Sequence, residues 1–186
     1  MRIVGGRLRG RALASPQDQT IRPTSDRTRE AVFNILAHGA AAVDLQGVRV
    51  IDLFAGTGAL GIEAISRGAA YALFVEESAE ARGLIRENVE ALGLTGCTRI
   101  FRRDATALGP ASQLGQFGLA FLDPPYGKGM ADRALTSLLA GGWLTPDAVV
   151  VVEEREGVEV VLPAGLSVLD RRVYGDTQVM FLKRSA

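Results

Sequence analysis

The chain has 186 residues, of which 47% are hydrophobic and 23% are charged. This composition is typical of one soluble globular domain, and no apolar run approaches the roughly 20 residues needed to span a bilayer. We therefore expect a cytoplasmic protein. Because Cys97 is the only cysteine and His38 the only histidine, the sequence provides neither an internal disulfide nor a zinc site built from Cys and His.

Positive charge is concentrated at the start of the chain. The formal net charge is zero, yet residues 1–29 hold seven arginines against two aspartates. Arginine makes bidentate contacts with phosphate, and the glycines at positions 5, 6 and 10 let the backbone lie close to a partner. Since residues 1–24 follow neither a period of 2 nor one of 3.6, they predict a short hairpin or loose arm whose arginines face phosphate. A frayed, solvated terminus is the alternative.

The rest of the chain alternates helices and strands. Ser25 or Asp26 is a suitable N-cap for a helix that runs to about His38 and buries Val32, Ile35 and Leu36. Three later helices are predicted. The first runs from the glycine-rich turn to about residue 67, and the other two cover residues 79–92 and 130–139. The predicted strands are residues 48–54, 71–75, 98–102, 118–122, 148–153, 167–170 and 173–183. The pattern predicts an α/β fold with a seven-stranded, mostly parallel sheet, helices on both faces and an antiparallel edge pair at the end.

A glycine-rich turn follows the first strand. Gly56, Gly58 and Gly61 match the G-x-G-x-x-G pattern, in which backbone N–H groups and a positive helix end approach a ligand. Glu76 closes the next strand 20 residues beyond Gly56, where a carboxylate would meet a pair of ribose hydroxyls. A P-loop is excluded because no Gly-Lys-Ser or Gly-Lys-Thr follows. Any doubly wound fold that binds adenosine can use this pattern, so a nicotinamide-dependent oxidoreductase is one interpretation.

Asp52, within the end of the first strand, argues against a nicotinamide cofactor. Its carboxylate would lie near the pyrophosphate of such a cofactor and repel it. An aspartate at this position better suits a cofactor with a nearby cationic group, such as the amino group of a methionine moiety.

The stretch Asp123-Pro124-Pro125-Tyr126 directly follows a buried apolar run. A parallel strand that ends in this way delivers a rigid loop at its carboxyl end, where ligands bind in open α/β sheets. The two prolines lack N–H groups, so the loop offers carbonyl acceptors, one carboxylate and an aromatic ring in a stiff frame. Such a loop suits a planar group that carries an NH2. The simpler interpretation is an ordinary turn.

These motifs, in this order and spacing, resemble the S-adenosylmethionine-dependent amino-group methyltransferases. More narrowly, the start of the chain resembles the bacterial 16S rRNA guanine-N2 methyltransferases. The matching segments are residues 2–6, 9–11, 22–27, 29–30 and 33–34. The resemblance implies a Rossmann-like class I methyltransferase fold, with residues 1–40 as a basic arm and helix that contact RNA and cofactor, and residues 41–186 as the methyltransferase domain.

The resemblance also implies a cofactor site for S-adenosyl-L-methionine. Asp52 and the backbone of Gly56 and Gly58 would hold its methionine part. Glu76 would hold its ribose hydroxyls and Asp104 its adenine amino group. The full implied cofactor set is Asp52, Phe54, Gly56, Thr57, Gly58, Glu76, Asp104 and Ala105. No metal is implied.

For the base, the resemblance implies that Asp123 and the Pro124 carbonyl accept hydrogen bonds from the guanine NH2 while Tyr126 stacks on the ring. The implied RNA contacts are Arg7, Arg9, Arg11, Arg22 and Lys128. The expected partner is 16S rRNA or an assembling small ribosomal subunit, with the enzyme as a monomer. The alternatives are a DNA adenine-N6 or cytosine-N4 amino methyltransferase and a non-catalytic cofactor- or RNA-binding module.

Overall fold

A computed structural model describes residues 1–17 and 24–185. The four α-helices in these ranges are α1 (Asp26–His38), α2 (Ala59–Ser66), α3 (Ala79–Ala91) and α4 (Met130–Ala140). The seven strands are β1 (Arg49–Leu53), β2 (Tyr71–Val75), β3 (Thr98–Phe101), β4 (Phe117–Leu122), β5 (Leu144–Arg155), β6 (Leu166–Tyr174) and β7 (Thr177–Arg184). Within the described ranges, no helix is both long and apolar enough to cross a membrane.

The seven strands form one sheet in the order β3-β2-β1-β4-β5-β7-β6. Strands β3, β2, β1, β4 and β5 pair in parallel, whereas β7 is antiparallel to both β5 and β6. The predicted seven-stranded, mostly parallel sheet with an antiparallel last strand is therefore confirmed. The chain leaves β1 toward β2 on one side and returns to β4 on the other, so the β1–β4 boundary is the switch point where open α/β sheets bind ligands.

Apolar residues pack against both faces of the sheet. Strand residues alternate between the two faces, so Phe74 of β2 belongs to one core while Leu73 and Val75 belong to the other. The first core contains the arm, α1, α2 and α3, and the second contains α4 and Trp143. Because its strands are covered on both sides, the parallel part of the sheet consists of nearly continuous apolar runs.

The N-terminal arm is a hairpin. The N–H of Ile3 donates to the Arg11 carbonyl at 3.0 Å, and the Gly10 N–H donates back to the Ile3 carbonyl at 2.8 Å. Ile3, Leu8 and Leu13 are buried in the first core. Gly5 and Gly6 approach the domain itself, whereas Gly10 has open space beside it. Gly6 has φ +77°, and a Cβ there would lie 2.0 Å from the Ser66 carbonyl oxygen.

Three details differ from the predicted elements. The strands predicted at residues 167–170 and 173–183 are β6 and β7, with residues 173 and 174 in β6, because the chain turns at residues 175–176, where Gly175 has φ +60°. In α1, Ser25 is the N-cap and Gly39 ends the helix, but the buried side chains are Arg29, Val32, Phe33 and Leu36. The prediction that Ile35 is buried was wrong, because it lies at the margin of this face and is only partly covered. Strand β5 has twelve residues and starts at Leu144. The first half of β5 is polar, and its register against β4 is irregular. The apolar pattern of the sequence therefore indicates only the second half of this strand.

Candidate active site at the carboxyl ends of the strands

A cavity of about 570 Å³ opens at the carboxyl ends of β1, β2, β4 and β5, at the switch point of the sheet. Nine of the residues that the sequence analysis singled out line it. They are Asp52, Phe54, Gly56, Thr57, Glu76, Asp123, Pro124, Tyr126 and Lys128. The fold thus brings the glycine turn and the Asp-Pro-Pro-Tyr loop, about 70 residues apart in sequence, to one site.

Asp52 lies at the end of β1 and is 1% exposed. One of its carboxylate oxygens, Oδ2, accepts a hydrogen bond from the Gly61 N–H at 3.0 Å. Burial raises the pKa of Asp52 to about 8, and the nearby Glu76 carboxylate also raises it, while the Gly61 hydrogen bond lowers it. A cationic ligand group placed in this part of the cavity would favour the ionised form and reverse that shift.

The turn after Asp52 has unusual backbone geometry. Phe54 has φ +55°, a conformation that costs free energy in a bulky residue and that clusters at functional sites. Gly61 has no room for a side chain, because a Cβ there would lie 2.6 Å from Phe74. The Gly58 N–H donates to the Ala55 carbonyl at 2.8 Å, so this amide holds the turn together.

Glu76, directly after β2, is held by backbone donors. Its Oε1 accepts from the Gly56 N–H at 2.9 Å and its Oε2 accepts from the Ser78 N–H at 3.0 Å. Each carboxylate oxygen keeps further acceptor capacity. The glycine turn therefore orients a carboxylate acceptor at the rim of the cavity, in the position suited to a pair of hydroxyl donors.

Three residues of the implied cofactor set, Gly58, Asp104 and Ala105, are absent from the cavity lining. Asp104 Oδ1 accepts from the Thr106 hydroxyl at 2.7 Å and from the Thr106 N–H at 2.8 Å. These hydrogen bonds, the hydroxyl first, lower the pKa of Asp104. Ala105 is buried in the second core. Contact of these three residues with a cofactor stays a prediction.

Two carboxylates meet at the base of the Asp-Pro-Pro-Tyr loop. Leu122 of β4 pairs with Val152 of β5, so Asp123 and Glu153 follow side by side. The Thr24 hydroxyl lies 2.9 Å from Asp123 Oδ2 and 3.2 Å from Glu153 Oε2. The residue just before α1 thus joins the ends of two central strands.

The loop after Asp123 is anchored on β5 and β7. The Tyr126 hydroxyl donates to Glu153 Oε1 at 3.1 Å and lies 2.9 Å from the Thr177 hydroxyl. The Gly127 N–H donates to the buried Glu154 carboxylate at 3.0 Å. These contacts fix the tyrosine ring at the cavity wall.

Sequence reasoning did not single out Thr24, Glu153, Arg155 or Thr177 as site residues. Thr24 entered only as part of a matching segment. Glu153 carries a signal that could have found it, because it closes an apolar strand in the same way that Asp123 closes β4 and Glu76 follows β2. Thr177 and Arg155 depend on the pairing of β5 with β7, which no local pattern reveals.

Four of the five basic residues expected to contact RNA lie at the surface. Arg7, Arg9 and Arg11 are exposed on the arm, and Lys128 is exposed beside the cavity. Arg11 also donates to the Ala91 carbonyl at 3.2 Å. Arg22 lies outside the described residues.

Fold and site together define the class of this protein. A sheet in this order with an antiparallel last strand, and a cavity joining a glycine turn to a strand-end Asp-Pro-Pro-Tyr loop, is the architecture of the Rossmann-like class I methyltransferases. The chain belongs to the family described as Conserved hypothetical protein 95, whose model matches residues 1–183.

Individual relatives are similar along their whole lengths. The chain is 36% identical over 188 residues to Ribosomal RNA small subunit methyltransferase D of Escherichia coli K12, covering 100% of this chain and 91% of the relative. The protein of that name from Haemophilus influenzae is 29% identical, covering 94% of this chain and 89% of the relative. The solved structure of yhhF from Escherichia coli has a TM-score of 0.84 and 31% identity, covering 100% of this chain and 98% of that one.

Proposed function

We propose that this protein transfers a methyl group from S-adenosyl-L-methionine to the N2 amine of a guanine in small-subunit ribosomal RNA. The observation that carries the proposal is the cavity itself, which is lined by Asp52 and Glu76 at its β1–β2 end and by Asp123, Pro124 and Tyr126 at its β4–β5 end. The relatives named Ribosomal RNA small subunit methyltransferase D support the choice of an RNA substrate.

The residues at the first end fit this cofactor. Asp52 is a buried carboxylate whose pKa is raised to about 8, so a cationic amino group beside it would offset the cost of its burial. Glu76 is oriented by two backbone N–H groups to accept from ribose hydroxyls. The bound cofactor would supply an activated methyl group on a positively charged sulfur.

The residues at the second end address the difficulty of methylating an exocyclic amine. The nitrogen lone pair is delocalised into the base, so the amine is a poor nucleophile. Asp123 and the Pro124 carbonyl would accept the two N2 hydrogens and favour a tetrahedral nitrogen whose lone pair points toward the methyl group. This alignment is the main catalytic contribution of the protein. As the N–C bond formed, the electron pair of the breaking carbon–sulfur bond would stay with sulfur, and Asp123 would accept the proton that N2 loses.

The target base must leave its stack to reach this cavity, at a cost of a few kcal/mol. Tyr126 would offset part of this cost by stacking on the base, and the arm arginines would bind the flanking phosphates. We propose that residues 1–40 form the RNA-contacting part and residues 41–186 the methyltransferase domain. The protein would act as a monomer in the bacterial cytoplasm on 16S rRNA or on an assembling small subunit.

Cofactor affinity is expected to depend on pH through Asp52. In the free enzyme its pKa is about 8, so the carboxyl is mostly protonated at neutral pH, whereas the cofactor amino group requires the carboxylate. Affinity for S-adenosylhomocysteine should therefore rise close to tenfold from pH 6 to pH 7 and about fivefold from pH 7 to pH 8, and level off only above pH 8, with proton release on binding. Calorimetry in buffers of different ionisation enthalpy measures both effects. Asp52→Asn should bind weakly with a flat profile, and a wild-type affinity independent of pH would contradict the role of Asp52.

The role of the arm is best tested by removing charge and keeping the chain intact. Ile3, Leu8 and Leu13 belong to the core, so deletion of the arm would also damage the fold. Replacing Arg7 and Arg9 by Gln should weaken RNA binding and reduce the slope of log affinity against log salt by about 1.5–2. Cofactor affinity should not change. The control is Arg99→Gln on the edge strand β3, and an RNA affinity unaffected by the arm substitutions would remove the arm from the binding surface.

The proposed substrate class is tested by transfer of labelled methyl from S-adenosylmethionine. The substrates are unmethylated small ribosomal subunits, RNA extracted from them and duplex DNA. Label is expected in the subunits or their RNA, and the better of these two identifies the physiological form. Label confined to DNA would make the protein a DNA amino methyltransferase, and absence of label from all three would favour a binding module.

A further inference from the structure

The end of the cavity assigned to the base contains two carboxylates, whereas methyl transfer to an amine needs only one. Asp123 follows β4 and Glu153 lies at the matching level of β5. Both line the cavity, and the Thr24 hydroxyl is within hydrogen-bonding distance of both. Glu153 has no role in the mechanism described above, so its position calls for a separate explanation.

Glu153 is held rigidly by its surroundings. It pairs with Val179 of the antiparallel strand β7, and its Oε1 accepts from the Tyr126 hydroxyl at 3.1 Å. Thr24, which contacts Oε2, is in turn held by Arg29, which donates to the Thr24 carbonyl at 3.3 Å. An ionised carboxylate has about four acceptor positions. These contacts orient Glu153 at the wall of the cavity that it lines.

The bases differ in what they present beside the amine. On guanine, the ring nitrogen N1 next to the N2 amine carries a hydrogen, so N1 and N2 both present donors. On adenine and cytosine, the ring nitrogen next to the exocyclic amine is an acceptor. An ionised carboxylate only accepts, so it pairs with the guanine edge and faces a lone pair on the other two. A carboxylate oxygen that is buried against the lone pair of a ring nitrogen, with no hydrogen between them, strongly weakens binding of that base.

We propose that Glu153 determines specificity for guanine by accepting a hydrogen bond from N1–H, while Asp123 and the Pro124 carbonyl accept from N2. This inference rests on the proposed function and extends it from the reacting atom to the identity of the base. Specificity of this kind comes from an edge-reading contact that the two wrong amine-bearing bases cannot make.

The test uses 2-aminopurine, which keeps the 2-amine of guanine but has an acceptor at N1. The probe is RNA in which the guanine methylated by the wild-type protein is replaced by 2-aminopurine, compared with the unmodified RNA. The wild-type protein should favour guanine by at least about a hundredfold in kcat/KM. Glu153→Gln should reduce this ratio at least about tenfold, because the amide loses affinity for N1–H and its NH2 can donate to N1 of 2-aminopurine.

Two further variants separate reading of the base from support of the ring. Tyr126→Phe removes a hydroxyl that helps to orient Glu153 but keeps the Glu153 carboxylate, so it should lower the guanine to 2-aminopurine ratio by much less than Glu153→Gln does. Glu156→Gln makes the same chemical change at an exposed site and should leave both rates unchanged. If Tyr126→Phe lowered the ratio as much as Glu153→Gln, Glu153 would act only through the ring, and the proposal would fail.

The outcomes for this inference and for the proposed function are distinct. Equal wild-type rates on guanine and 2-aminopurine, or an unchanged ratio in a folded Glu153→Gln, would overturn the role of Glu153 and leave guanine-N2 methylation intact. If Glu153→Gln does not fold, the same ratio is measured for Glu153→Ala, which should also lower it at least about tenfold. Absence of methyl transfer to the guanine RNA by the wild-type protein would overturn the proposed function itself.

Discussion

Asp123→Ala is expected to lower kcat for methyl transfer at least a hundredfold while changing the Kd for the cofactor by no more than a few fold. Asp123 lies at the base end of the cavity, where it would accept from the amine that is being methylated. Losing one group that stabilises the transition state costs about 10²–10³ in rate. Asp52 and Glu76, which would hold the cofactor, follow other strands and keep their hydrogen bonds to Gly61, Gly56 and Ser78.

Single-turnover transfer of labelled methyl measures the first quantity, and calorimetry with S-adenosylhomocysteine measures the second. Asp123→Asn is an informative companion, because it keeps the shape of the side chain but places an NH2 where an acceptor is needed. It should be impaired nearly as much as Asp123→Ala. Loss of cofactor binding in either variant would mean that Asp123 belongs to the cofactor end of the cavity.

Glu63→Ala is expected to lower the free energy of unfolding by about 3–5 kcal/mol. Glu63 and Arg29 have fully buried side chains, joined by an ion pair of 3.1 Å between Oε1 and Nε. Glu63 also accepts from the N–H groups of Val4 and Gly5, each at 2.9 Å. Its removal leaves a buried guanidinium without its main counter-charge and two arm N–H groups without acceptors. Breaking one side of a buried pair is more costly than the pair itself is stabilising.

Urea denaturation of Glu63→Ala beside Arg172→Ala measures this effect. Arg172 pairs with Asp170 at 3.1 Å, but its side chain is 52% exposed, so its loss should lower the free energy of unfolding far less than the loss of Glu63 does. A loss below 1 kcal/mol for Glu63→Ala would show that the arm is only loosely attached to the domain.

The buried pair also connects the arm to the active site. Arg29 donates to the carbonyls of Arg2 and Thr24 and pairs with Asp26 at 2.8 Å. Thr24 in turn contacts Asp123 and Glu153. Weakening this network should therefore reduce methyl transfer at temperatures where the protein is still folded, because Thr24 would no longer hold the two carboxylates together.

The sheet could be predicted because its strands are short apolar runs that end abruptly. The parallel strands are covered on both faces, so each appears as an apolar run, and the functional residues follow where those runs stop. Asp52, Glu76 and Asp123 were found in this way. The glycine turn could also be predicted from a short stretch of sequence, because the spacing of its glycines reflects the geometry of a single strand-turn-helix unit.

The remainder of the site depends on contacts between distant parts of the chain. Thr24 reaches Asp123 across 99 positions and Glu153 across 129. No periodicity encodes such contacts. Arg29 lies on the buried face of α1, although an arginine is expected at the surface, and only its pairing with Glu63 of α2 explains that position. The arm, with a basic composition typical of a solvated segment, places three apolar side chains in the core, while Arg2, Arg7, Arg9 and Arg11 are exposed.

The most direct test of guanine-N2 methylation is the identity of the labelled nucleoside. Ribosomal RNA is methylated by the wild-type protein with S-adenosylmethionine labelled in its methyl group, digested to nucleosides and separated with mass detection. The arrangement of Asp123, Pro124 and Glu153 predicts label in N2-methylguanosine and its absence in the Asp123→Ala reaction. Label in N1-methylguanosine, N6-methyladenosine or N4-methylcytidine would contradict the assignment of the base end of the cavity to the guanine amine.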